Sequence, residues 1–172
     1  MCIKRWQRRP AMRLAGSVSS GLGRAAVFMA QPHYQDQFRD LIGVTAWPGT
    51  LNVTVSGEDH ANYLALRHVA GIDTLDLKKT MRTAAEEVET EGIEPFRIRG
   101  FLREGRSFGG ATAFAAIIRK EDDNEDQKKG IHCAILIPDL TRHIDVVEVI
   151  SKLFLRESLN LIDGERVILQ LG

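Results

Sequence analysis

Cysteine is scarce in this chain. Its 172 residues hold two, Cys2 and Cys133, which form neither a zinc-type spacing nor a disulfide framework. Long apolar runs are missing too, and none approaches the roughly 20 residues needed to cross a bilayer. Charge of one sign is absent, since Lys+Arg and Asp+Glu number 23 each. No global field therefore points to nucleic acid or an acidic partner. The stretch from Met1 to Arg13 is basic (Lys4, Arg5, Arg8, Arg9, Arg13) but lacks the apolar core of a secretory signal. The five histidines show no His-x-x-x-His spacing, which argues against a zinc site. No repeat period is visible. A cytoplasmic protein outside the membrane is expected, with length for one closed core.

What is present begins at about residue 13. Residues 1–12 are expected to be a flexible basic arm and 13–172 one domain. Leu14 to Val18 suggests a strand, followed by a small-residue loop from Ser19 to Ala26. Pro32 to Leu41 reads as a helix stopped by Gly43. Leu51 to Val55 alternates as a strand, and Asp59 to Ala70 reads as a helix closed by Gly71. Leu77, Met81, Ala84, Ala85 and Val88 recur at helical spacing with a dense acidic face, which predicts a surface helix over the core. The second half is strand-rich: Phe96 to Phe101, Ala111 to Ile118, Cys133 to Ile137, Val146 to Ile150 and Arg166 to Leu171. Loops of hairpin length join most of them, which predicts an antiparallel or mixed barrel rather than a doubly wound sheet. The acidic run Glu121 to Asp126 lacks the ligand order of an EF-hand and reads as a solvated loop.

Several residues could carry chemistry. Gly16-Ser-Val-Ser-Ser-Gly21 copies Walker A glycine spacing, but Leu22-Gly23 stands where Lys and Ser/Thr belong, so a P-loop is rejected. Gly21-Leu22-Gly23 is either an ordinary turn or a loop whose N–H groups approach a phosphate chain, with Arg24 adding a charge-assisted contact. Pro48-Gly49 turns into an extended segment that points Thr50 and Asn52 to one face. The pair either bonds the turn's backbone or offers oxygen ligands to a Mg²⁺ ion shared with nucleotide phosphates. Glu148 is the lone acid among Val146, Val147, Val149 and Ile150. It is either a solvent-facing acid or a buried carboxylate lifted toward general-base range. Thr141 and His143 lie just upstream. Arg156 and Glu157 form either a surface ion pair or a ligand contact.

In this order the blocks resemble the archaeal CTP-dependent riboflavin kinases, from about Arg13 to Leu171. They are Gly16-Ser-Val-Ser-Ser-Gly-Leu-Gly23, Pro32-His-Tyr34 with Phe38, Pro48-Gly-Thr-Leu-Asn52, and Gly105-Arg-Ser-Phe-Gly-Gly-Ala111. Ile137-Pro138 with Thr141-Arg-His143, Glu148-Val-Ile150, Leu155-Arg-Glu157, Asn160-Leu161 and Asp163-Gly164 follow. The resemblance implies a mainly β fold with some α: a cradle-loop, six-stranded β-barrel of the swapped-hairpin kind, with short helices and a helical insertion at about 59–92. It implies transfer of the γ-phosphoryl of CTP to the riboflavin 5′-hydroxyl, giving FMN and CDP. By matching position, Gly21, Leu22, Gly23, Arg24, Ala25, Ala26 and Val27 would line the nucleotide. Phe154, Leu155, Arg156 and Glu157 would close over its base. Thr50 and Asn52 would bind Mg²⁺, Thr141, His143 and Glu148 would face the flavin, and Glu148 would serve the acceptor hydroxyl. The chain departs from its relatives in three places, one of them the linker from His60 to Glu91, which is longer than their usual connection. The relatives usually read Gly-x-Gly-Glu-Gly where Arg24 and Ala25 stand here, and many have Lys at Phe154.

The competing expectations are a non-enzymatic barrel that binds DNA through the basic arm, and a kinase of the same fold using ATP or another acceptor. A monomer is the expected state, with no membrane partner and no nucleic acid.

Overall fold

The computed structural model describes residues 11–21, 25–72, 77–121, 130–141 and 143–172. The expectations for the arm through residue 10, for Leu22, Gly23 and Arg24, for the acidic run beyond Glu121, and for Arg142 lie outside them. So do those for the side chains of Ala26 and Val27.

Six strands close into an antiparallel barrel. In order around it stand β1 (Met12–Ser19), β2 (Leu51–Thr54), β8 (Val146–Ile150), β7 (Ile131–Pro138), β6 (Ala111–Lys120) and β9 (Arg166–Leu171), and β9 returns to β1. Alternation fills the interior: Leu14 and Val18, Leu51 and Val53, Phe114 and Ile118, Ile135 and Ile137, Val147 and Val149, Val167 and Leu169 all join one buried cluster. The expected barrel is therefore the observed one. Two of its strands, Val146 to Ile150 and Arg166 to Leu171, match their expected bounds.

The helices cover two parts of the barrel. Helix α2 (Pro32–Ile42) ends at Gly43, whose φ of 82° closes it in the left-handed region. With α1 (Ala25–Met29) and β3 (Phe96–Ile98), which pairs with β6, it lies over the outer faces of β6, β7 and β8. The small side chains of Ala111, Ala113 and Ala134 let this layer come close, and Tyr34, Phe38, Ile98, Leu136 and Ile150 fill it. Helix α3 (Gly57–Val69) sets Tyr63, Ala65 and Leu66 into the barrel core. The Asp59 carboxylate accepts from the Ala15 N–H at 2.9 Å and the Asn62 amide donates to the Arg13 carbonyl at 2.9 Å. These bonds serve the part of β1 that precedes its pairing with β2, which starts at Ser17. Helix α4 (Lys79–Glu86) buries no residue, as its narrow stripe predicts.

Two sequence readings are corrected. Part of the expected small-residue loop from Ser19 to Ala26 is α1, while Gly16 lies inside β1, as the expected strand from Leu14 to Val18 requires. A Cβ on Gly16 would come 2.5 Å from the Thr54 carbonyl oxygen and 2.7 Å from a Val53 methyl, so the glycine answers close packing between strands. The second correction is that Phe96 to Phe101 is not one strand. It breaks after Ile98, and among the described residues β4 (Phe101–Arg103) pairs only with β5 (Arg106–Phe108). Gln37 of α2 explains the break. Its side chain accepts from the Arg99 N–H at 2.6 Å and donates to the Arg99 carbonyl at 3.0 Å, taking the place of a neighbouring strand.

Candidate active site

A cleft of about 360 Å³ lies between the barrel and the α1/α2 layer, within the size range of small-molecule sites. Phe28, Met29, Tyr34, Phe38, Ile98 and Leu136 give it apolar walls, and Thr50 and Glu148 stand in its lining. The Tyr34 hydroxyl donates to the Gly109 carbonyl at 2.6 Å, tying α2 to the residue after the β4–β5 hairpin. Phe101 and Phe108 stack on that hairpin with centroids 4.6 Å apart. At the rim Leu140 is 86% exposed.

A second, smaller cavity of about 50 Å³ lies beyond Thr50, lined by Trp47, Gly49, Ser151 and residues 153–156. Thr50 borders both spaces. Trp47 and Phe154 stack at its mouth, their centroids 5.1 Å apart, and both are well exposed.

Strand pairing explains the convergence at the junction. Asn52 of β2 stands directly opposite Glu148 of β8 and opposite Ser19 of β1. Thr50, two residues before Asn52, shares its face. The Thr50 hydroxyl lies 3.3 Å from Asn52 Oδ1 and 3.4 Å from Glu148 Oε1. Both separations exceed a normal O–H···O bond, so the oxygens cluster without locking one another. Gly21 backs the cluster, since a Cβ there would fall 2.4 Å from Asn52 Nδ2.

Glu148 is half-buried. It lies on the outward face with Ile150, away from the barrel interior that holds Val147 and Val149. Burial lifts its carboxyl above the usual carboxylate range, while the Thr50 hydroxyl and the charge of His143 oppose the rise. Three hard oxygen donors on neighbouring strands suit Mg²⁺ in type, with one carboxylate among them. Among the described residues no group of three or more His, Cys, Asp and Glu side chains could hold a metal.

The remaining candidates are arranged around this junction. The Thr141 N–H donates to the Pro138 carbonyl at 3.1 Å, closing the turn that holds Leu140 at the rim. His143 is exposed. Arg156 is corrected as a partner of Glu157. Its guanidinium pairs instead with Asp163 at 2.8 Å and donates to the Ser19 carbonyl at 3.2 Å, which fastens α5 (Leu155–Ser158) to the end of β1. Ser20 and Arg156 hold the Asp163 carboxyl below its ordinary range. Phe154 and Leu155 line the small cavity, and Ala25 reaches the large one from α1. Trp47, Phe28 and Met29 were not among the sequence candidates. An exposed Trp before a Pro-Gly turn was the one available signal, and Phe28 and Met29 depend on an unforeseen helix.

A closed six-stranded barrel with an apolar cleft and an oxygen cluster at its polar end defines the class to which this chain belongs. The family model CTP-dep_RFKase, described as "Domain of unknown function DUF120", matches residues 18–89 and 72–171. The chain belongs to this family. It is 33% identical over 154 residues to the riboflavin kinase of Thermoplasma acidophilum, covering 90% of this chain and 54% of that protein. Identity to the riboflavin kinase of Methanocorpusculum labreanum is 32% over 160 residues, covering 92% of this chain and 57% of that protein. For that of Halobacterium salinarum it is 31% over 160 residues, covering 92% and 56%. The chain thus spans about half the length of the curated relatives it matches. No described helix is long and apolar enough to cross a membrane.

Proposed function

We propose that this chain is a riboflavin kinase that transfers the γ-phosphoryl of CTP to the riboflavin 5′-hydroxyl, giving FMN and CDP. The observation that carries the reading is Thr50, which borders both an apolar cleft and a smaller cavity and stands within 3.4 Å of Asn52 and Glu148 oxygens. The family name and the names of the relatives support the chemistry.

In this reading the flavin ring occupies the cleft against Phe28, Tyr34 and Phe38, with Thr141 and His143 near its ribityl end. The nucleotide lies against the Gly21–Val27 segment and the turn from Phe154 to Glu157. Thr50 and Asn52 would hold Mg²⁺, which would supply charge neutralisation for the nucleotide phosphates. Phosphoryl transfer asks the protein chiefly for alignment and charge compensation. Glu148 accepts the proton of the 5′-hydroxyl as its oxygen bonds to the γ-phosphorus. The bond from that phosphorus to the bridging oxygen breaks, and CDP leaves with the electron pair. A carboxyl lifted by burial is the better base near neutral pH.

The test is incubation with riboflavin, Mg²⁺ and either CTP or ATP, with flavins resolved by chromatography. FMN from CTP is expected. FMN from ATP alone reassigns the donor, and no FMN with either nucleotide overturns the kinase. Thr50→Ala with Asn52→Ala is expected to lower turnover by roughly 100-fold or more while the circular dichroism spectrum stays unchanged. Retained turnover and Mg²⁺ dependence would remove the metal assignment.

A further inference from the structure

The segment leading into β8 is held in an unusual way. Three successive carbonyls are each taken by a different donor: His143 by Arg67 Nη1 at 2.9 Å, Ile144 by His60 Nε2 at 2.8 Å, and Asp145 by the Val55 N–H at 2.9 Å. His60 and Arg67 both belong to α3, and Val55 precedes it. The helical insertion therefore grips the strand that delivers Glu148, five residues beyond His143.

Arg67 is the more telling of the two. It is 4% exposed, where an aliphatic side chain would fill the end of the barrel without a desolvation cost. Besides the His143 carbonyl it meets the Tyr63 hydroxyl, one turn earlier on α3. The guanidinium thus links the insertion to the backbone that enters β8.

We propose that Arg67 is a positioning residue: by fixing residues 143–145 it sets the entry of β8, and with it the place of Glu148 relative to Thr50 and Asn52. His60 assists by holding the next carbonyl. The insertion is a brace for the acceptor side of the site, and among the described residues these contacts reach the entry of β8 rather than the nucleotide side around Phe154 to Glu157. The kinetic consequences rest on the kinase reading, whereas the bracing itself does not.

The experiment compares Arg67→Met, which keeps the bulk without the donors, with Arg67→Lys, which keeps a cationic donor. In Arg67→Met, kcat for FMN formation should fall at least tenfold with the KM for CTP within twofold. Arg67→Lys should restore at least a third of the lost rate. Amide hydrogen exchange at Val146 to Glu148 should quicken at least tenfold in Arg67→Met, with the β1–β9 amides unchanged. A merely structural role would move all kinetic constants and all amides together, and that result overturns the proposal, as does an Arg67→Met enzyme with unchanged kcat. If Arg67→Met does not fold, His60→Ala decides by the same split: unchanged exchange at 146–148 overturns the proposal, and selective loosening there supports it. Wild-type protein that makes no FMN overturns the kinase reading alone, because exchange still judges the brace.

Discussion

Glu148 shows how one residue's surroundings can be read as chemistry. Because burial dominates, the folded protein binds the Glu148 proton more tightly than the unfolded chain does. The neutral form therefore favours folding below the ordinary glutamate value, and that benefit is lost as pH rises through the raised folded value. Glu148→Gln keeps the shape and removes the charge. It should be more stable than wild type at about pH 8 and equal to it at about pH 4, measured by urea unfolding at both pH values. A wild-type protein more stable than the variant at the higher pH would contradict burial as the leading cause. In the kinase reading the same variant should lose about 100-fold or more in turnover, the usual range for a lost general base, and the acid limb of its pH–rate profile should disappear.

At the scale of elements, two glycines of one motif have different work. Gly16 and Gly21 read alike in sequence, as the ends of a Walker-like spacing. Gly16 sits where β1 meets β2, and an added Cβ would strike backbone and a valine methyl. Gly16→Ala should therefore cost about 1–3 kcal/mol of stability, seen as a lower denaturation midpoint. Gly21 faces a single side chain, the Asn52 amide. Gly21→Ala should leave stability within about 1 kcal/mol of wild type and instead lower activity at least tenfold by displacing Asn52. If both variants lost stability equally, the separation of roles would fail. This contrast also marks what the sequence could reveal. Alternation made β8 and β9 legible to the residue, because each shows one apolar face to the barrel. Glycine spacing alone could not separate Gly16 from Gly21, because it carries no information on the neighbour across the sheet. The missed break after Ile98 has the same origin: Gln37, more than sixty positions away in sequence, replaces the strand partner. At the site, Thr50, Asn52 and Glu148 were legible as oxygen-bearing residues, but their meeting depends on the β2–β8 register.

For the whole molecule, the question is whether the cleft layer is a separate unit resting on the barrel or part of one cooperative structure. The strands answer it through their two faces. Val147 and Val149 of β8 fill the barrel while Ile150 packs under α2, and β7 likewise divides Ile135 and Ile137 from Ala134 and Leu136. β6 does the same along its length, pairing with β3 at one end and with β9 at the other on a single edge. Neither layer can open without exposing apolar side chains that the other needs for its backing. Leu169→Ala, inside the barrel at 0% exposure, and Phe38→Ala, in the cleft layer at 2%, should each cost about 2–5 kcal/mol. Both should do so in a single transition. Guanidinium unfolding followed by circular dichroism and by Trp47 fluorescence, in a Trp6→Phe background, checks this, because Trp47 reports from the site and circular dichroism from the strands. Coincident midpoints for both variants would show that the floor of the cleft is as stable as the barrel itself. A Phe38→Ala protein whose Trp47 signal changed well before its strands melted would instead make the cleft layer an independent unit, and would move the origin of the site's rigidity from the barrel to α2.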